Sequence, residues 1–207
     1  MIRTMTLLIG LLVFGTLFGQ GDFRQDSILT EEGIPGTTEY NPLSRTYFED
    51  HQPNGRPGTV TTIRLTESGE WVPSRRILST YEGNLVTERR VQRWSNTSAD
   101  WVDDRARLQT FDDNGQLLSR ISQAAPASGE PLENVRRQTF LYTGEQMLET
   151  VIVENWVTGA WQRFGRRQFS YTPDGEIVER RWQRWNGGAW IDQFRRVWQY
   201  GPLGFNA

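Results

Sequence analysis

The chain has 207 residues, with 23 basic and 25 acidic side chains, a net charge of −2 and no cysteine. Disulfides and thiolate metal sites are therefore excluded, and the length fits one domain or two. Every basic residue is arginine, set among nine Trp, six Tyr and ten Phe, and the guanidinium both forks onto carboxylates and stacks on rings.

Residues 1–19 are expected to be a signal peptide. Arg3 supplies the positive start, and residues 5–18 form an apolar run of 14. That is short for a bilayer span of about 20 residues and suits an export signal. Cleavage is expected before Gln20. The remaining chain holds 22 Arg against 25 acids, a net charge of −3. A near-neutral repeat region lacks the cationic excess that phosphate-backbone binding needs, so nucleic acid is not an expected partner. Residues 20–43, with Gly33, Pro35, Gly36 and Pro42, read as a linker or N-terminal edge segment.

From residue 44 to 200 the chain repeats, in about five repeats. A bulky residue and an aromatic recur ten positions apart: Trp71 and Tyr81, Trp101 and Phe111, Leu132 and Tyr142, Trp161 and Tyr171, Trp190 and Tyr200. The aromatics follow one another at intervals of 30, 31, 29 and 29 residues. An even separation places both members on one face of a strand unless a bulge intervenes.

A turn follows each of the first four aromatics: Glu82-Gly83-Asn84, Asp112-Asp113-Asn114-Gly115, Thr143-Gly144-Glu145 and Thr172-Pro173-Asp174-Gly175. Gly and Asn accept positive φ there, and Pro presets a turn. Extended segments follow at 85–94, 116–123, 146–156 and 176–185. A second kind of turn lies between two Trp, as a four-residue loop from Trp156 to Trp161 and from Trp185 to Trp190, and a longer one from Trp94 to Trp101. Gly69, Gly159 and Gly188 are the expected left-handed closing residues. The flanking Trp then face each other as staples of the hairpin. The third repeat, with Ala124 to Pro131 in place of that turn, is degraded. Residues 201–207 form a tail.

The expected fold is all-β, an antiparallel up-and-down meander of hairpins in a single curled or coiled sheet, with 29–31 residues per two-strand repeat. No apolar stripe at period 3.6 supports helix. A lipid-facing barrel needs one apolar parity, and Glu179 to Trp185 (ERRWQRW) offers none. A propeller blade needs about 40 residues or more.

Segments such as Thr110 to Leu117 (TFDDNGQL) and Phe169 to Ile177 (FSYTPDGEI) resemble the YD repeats of RHS-type secreted proteins. The Trp-x-x-Gly-x-Trp turn is closer still to Trp-rich hairpin repeats in secreted and surface proteins of Gram-negative bacteria, which often precede a type IX sorting domain. The resemblance covers residues 44–200. It implies an exported scaffold in the periplasm, at the outer surface or outside the cell, and no shared chemistry. No sorting domain follows the repeats here, so a truncated form of a longer repeat protein is one expectation.

Catalytic constellations are thin. His51 is the single histidine, with no Cys or second His to join it. Carboxylate pairs such as Glu149 with Glu154 or Glu176 with Glu179 are available to a glycosidase mechanism. The turn acids Asp112 and Asp113, and Asp103 with Asp104, offer oxygen to calcium without an ordered ligand spacing. No catalytic residue, metal or cofactor is expected. The expected function is a scaffold for protein interaction, adhesion or edge-to-edge self-association, its partner an unidentified protein or surface glycan. The alternative is a glycan-binding module, with Trp94, Trp156, Trp161, Trp182, Trp185 and Trp190 as sugar platforms.

Overall fold

The computed structural model describes residues 25–33, 37 and 40–200. The expected signal peptide, part of the 20–43 segment and the 201–207 tail lie outside them. Among the described residues there are twelve strands and no helix, so none is long and apolar enough to cross a membrane. The strands are β1 (Ser27–Gly33), β2 (Tyr40–His51), β3 (Pro57–Leu65), β4 (Trp71–Glu82), β5 (Leu85–Ser95) and β6 (Asp100–Phe111). They continue with β7 (Leu117–Ala124), β8 (Glu133–Tyr142), β9 (Leu148–Val157), β10 (Ala160–Tyr171), β11 (Ile177–Trp185) and β12 (Trp190–Val197). Their hydrogen-bonded order follows the chain, from β1 through β12 without a crossover. The expected antiparallel meander is the fold. It reaches back to Ser27, whose strand β1 pairs with β2 as an edge.

The chain divides into two compact lobes, one running up to Ala106 with Ala125–Leu132, the other holding Arg107–Ala124 and the residues from Glu133 on. In the first, the buried apolar residues are Val91 and Ala106, and in the second Val151 and Val153. No described side chain is fully buried. Each lobe is held by cross-strand pairs more than by a deep core.

The turns follow local chemistry. Gly83 (φ 57°) opens the two-residue loop between Glu82 and Leu85, as a II′ hairpin turn requires. Five longer loops, at 52–56, 66–70, 112–116, 143–147 and 172–176, share one pattern. The first residue's N–H donates to the fifth residue's carbonyl, and the fourth N–H donates to the first carbonyl. The fourth residue is left-handed: Gly55, Gly69, Gly115, Gly175 and, in the 143–147 loop, Gln146 at φ 64°. The expected role of Gly144 in that turn is thus taken by a non-glycine.

Between Trp156 and Trp161 the loop is shorter than expected. Val157 pairs with Ala160, which leaves Thr158 and Gly159 as a two-residue turn, both left-handed (φ 47° and 84°). In the last hairpin the left-handed residue is Gly187 (φ 100°), not Gly188.

The expectation that each pair ten residues apart shares a face is corrected. Arg163 pairs with Glu154 and Gly165 with Val153, so Phe164 is an extra residue on β10. Across this β-bulge the alternation slips by one. Trp161, opposite Trp156, lies on one face, and Tyr171, opposite Ile177, lies on the other. The same insertion occurs at Ser74, Val135 and Gln193, each three positions after the bulky residue of its repeat. In each lobe one face therefore carries the hairpin Trp pairs. The opposite face carries the buried valines and, in the second lobe, the rings of Tyr142 and Tyr171.

Candidate functional site

The candidate rings belong to two different settings. Five of the six (Trp94, Trp156, Trp161, Trp185 and Trp190) sit on the Trp face at the mouths of hairpins. Trp156 and Trp161 are cross-strand partners, with ring centroids 4.9 Å apart at 67°. Trp185 and Trp190 are partners likewise, at 5.0 Å and 63°. Trp94 meets Trp101 at 5.4 Å and 78°. These edge-to-face geometries suit the ring quadrupole and add about 0.5–1.5 kcal/mol each beyond burial.

A guanidinium from the preceding hairpin then lies over the ring that opens the next: Arg45 over Trp71, Arg76 over Trp101, Arg137 over Trp161 and Arg166 over Trp190, at 4.8–4.9 Å. Arg163 lies 5.0 Å over Trp185. Where the third repeat has Leu132 in place of Trp, the ring is missing.

Trp182 is on the opposite face, as its parity against Trp185 requires. It pairs with Arg167, whose guanidinium stands 5.6 Å from its ring, and it packs beside Phe164. Gly165 makes room for it, since a Cβ there would come within 2.5 Å of Trp182 Cζ2. The structure thus brings Trp156, Trp161, Trp185 and Trp190 into one row across β9–β12, leaves Trp94 with Trp101 in the first lobe, and separates Trp182 from the row.

Behind the rings runs a polar chain that inspection of the sequence missed. Arg76 Nε donates to Gln92 Oε1 at 2.8 Å, and Gln92 Nε2 donates to Asp103 at 2.8 Å. Arg166, Gln183 and Asp192 repeat it, with both bonds at 2.5 Å. Gln183 is only 6% exposed, and both ends of its amide are satisfied. At the middle repeat Glu154 replaces the glutamine and accepts from Arg137 at 2.7 Å. The signal lay in the register: the central residue falls two before the closing Trp, and the terminal Asp two after the opening one.

At the other end of the hairpins the repeating tyrosine has a role of its own. Tyr81, Tyr142, Tyr171 and Tyr200 each donate a phenolic hydrogen bond to the carbonyl of the residue that begins the preceding strand: Pro57, Leu117, Leu148 and Ile177, at 2.6–3.0 Å. Burial pushes the Tyr142 and Tyr171 phenols above their ordinary pKa. Arg120 lies over Phe140 with a buried, unbonded Nε, and burial followed by the charge of Arg107 lowers its pKa.

The carboxylate pairs are otherwise engaged. Glu179 accepts from Arg195 at 2.7 Å and from Arg181 at 2.8 Å, the Arg195 bond being the larger influence that holds its carboxyl down to about 2. Glu154 is bound to Arg137, while Glu149 is exposed. Asp112 caps its own turn by accepting from the N–H groups of Asn114 and Gln116. Asp103 pairs with Arg90 and Asp104 with Arg93. His51 ends β2 opposite Pro57. Among the described residues no cluster of three or more His or carboxylate side chains could hold a metal ion.

No family model matches the chain, and no curated protein matches it. Among solved structures, a protein of unknown function from Bacteroides fragilis aligns over 76% of this chain and 93% of its own, at 10% identity and a TM-score of 0.29. A chain of TcdB2-TccC3-TEV aligns over 86% of this chain and 11% of its own, at 12% identity and 0.37. A porin-like protein from Bacteroides uniformis covers 83% and 84%, at 12% and 0.20. These likenesses are loose, and the fold rests on the register of its own strands.

Proposed function

We propose that the chain is an exported repeat scaffold that presents its antiparallel sheet for protein interaction, adhesion or self-association, without catalysis. The observation that carries this reading is the covering of the candidate rings. Every one of Trp94, Trp156, Trp161, Trp182, Trp185 and Trp190 has a second ring or a guanidinium against it. A sugar platform needs a ring face open to a pyranose, and these rings are engaged by the Trp of their own hairpin or by a guanidinium from the hairpin before. The repeat of YD-like turn and Trp-flanked turn supports the likeness to Trp-rich hairpin repeats of secreted Gram-negative proteins, and with it an address beyond the inner membrane. The commitment of Glu154 and Glu179 to arginines supports a role without acid–base chemistry.

The test is Trp emission of the full chain titrated with neutral polysaccharides such as dextran and xyloglucan. A spectrum that stays put is expected. A saturable shift that disappears in Trp185→Ala would sink the scaffold reading in favour of neutral-glycan binding through the Trp row.

A further inference from the structure

The last three strands sort their charges by face. Strands β10, β11 and β12 contain two acids, Glu179 and Asp192, and the register places both on the Trp face, opposite Ser170 and Gln183. The opposite face carries Arg167, Arg180, Arg184 and Arg196 and no carboxylate. All four are exposed and lie against rings: Arg167 on Trp182, Arg184 on Phe164, Arg180 and Arg196 on Phe194.

Two neighbouring rungs of the β11–β12 ladder make the contrast sharp. Arg181 pairs with Arg195 on the Trp face, and Glu179 bridges them through bonds of 2.8 and 2.7 Å. Arg180 pairs with Arg196 on the opposite face with no acid between them. Like charges directly across a ladder are destabilising, so this pair is held at a cost that an anion would relieve. The first lobe does not repeat the pattern, since Arg93 is bridged there by Asp104. Both guanidiniums lie over the exposed ring of Phe194, 6.0 and 5.8 Å from its centroid.

We propose that this face of β10–β12 binds an anionic polysaccharide, with Arg180 and Arg196 forking onto its carboxylate or sulfate groups and Arg167 and Arg184 taking the next anionic residues. Planar guanidiniums suit oxyanions through paired N–H bonds. Four arginines spread over three strands suit a polymer whose charges are spaced along its chain. Duplex DNA fits less well, because its dense phosphates call for a broad cationic excess, while this chain carries a net charge of −2. The site is separate from the Trp row and goes beyond the scaffold reading, so failure of one leaves the other standing.

The experiment is calorimetric titration of the full chain with polygalacturonate, neutral dextran and duplex DNA at low and at physiological ionic strength. Polygalacturonate is expected to bind, more weakly at the higher salt, and dextran not to bind. The double variant Arg180→Gln/Arg196→Gln should lose at least tenfold in affinity with an unchanged or raised melting temperature. The charge-matched Arg64→Gln/Arg105→Gln, in the first lobe, should bind as the parent does. No binding of polygalacturonate, equal binding of dextran, or equal losses in the two double variants would overturn the proposal. Tighter binding of DNA through the same arginines would overturn the assignment to a glycan.

Discussion

Replacing Gln146 with glycine should stabilise the protein, and its size can be worked from the five matched loops. They share both backbone hydrogen bonds, and four of them place glycine at the left-handed position that Gln146 occupies at φ 64°. A side chain in that region costs about 1–2 kcal/mol, and glycine gives back about 0.5–1 kcal/mol through its greater freedom when unfolded. Gln146 is exposed, and the bond it accepts from Gln116 Nε2 at 2.9 Å uses its backbone carbonyl, which the substitution keeps. The net gain is about 0.5–1 kcal/mol, with a rise in melting temperature of about 2–4 °C per kcal/mol for a chain of this size. Gly175→Gln is the converse. The nearest atom to its added Cβ, Met147 Sδ, is 3.8 Å away, so backbone strain alone should lower stability by a similar amount. Thermal melts followed by circular dichroism measure both. A Gln146→Gly midpoint at or below the parent, together with a harmless Gly175→Gln, would refute the reasoning.

Gly165→Ala should cost about 1–3 kcal/mol as an overpacked site, because the new methyl meets Trp182 and lies 3.0 Å from the Gln183 carbonyl; chemical denaturation and a red shift in Trp emission would report it, and a neutral result would mean that Trp182 is not seated there. Tyr171→Phe should cost about 1 kcal/mol for the 2.6 Å bond to the Leu148 carbonyl. Because the folded phenol titrates above its unfolded value, its contribution is whole below about pH 10 and declines as pH rises beyond that. The gap between parent and variant should therefore close in alkali, as denaturation curves across that range would show. Glu179 behaves in the opposite sense. Its folded pKa of about 2 lies below the ordinary 4.5, so its contribution is present above 4.5 and lost as pH falls toward 2. The stability deficit of Glu179→Gln should shrink over that interval, and a deficit independent of pH would show that the arginine clasp is not its source.

Strand order and most strand limits were legible because turn chemistry is local. Gly83, Gly115 and Gly175 mark turns in the sequence and close them in the structure. The hairpin Trp pairs were legible for the same reason, since Trp156 and Trp161 flank a short loop and must face each other once it closes. The 143–147 loop misled because Gly144 attracts the turn to itself, while the hydrogen bonds demand left-handed geometry two residues later. The Arg–Gln–Asp chain was hidden for another reason. Its members lie on three strands, and only the register that aligns Arg166, Gln183 and Asp192 reveals that three ordinary polar residues form one network.

The bulges explain why the repeat stride was legible while its meaning was not. Without Phe164 as an extra residue, Trp161 and Tyr171 would share a face, and the hairpin staple and the phenolic bond would compete for one side of a thin sheet. One inserted residue in each of β4, β8, β10 and β12 separates the two jobs. The Trp pairs with their guanidinium lids hold one face, and the tyrosines close the hairpins on the other, which is the face of Val151 in the second lobe. The same slip decides where charge falls. Arg166 stays with Trp190 and Gln183, while Arg167, one residue on, joins Trp182 on the side that β10–β12 leave without a carboxylate. A pair of adjacent arginines, alike in the sequence, thus splits into one that holds hairpins together and one that faces outward with its charge unmatched. The anionic partner inferred for β10–β12 follows from that division.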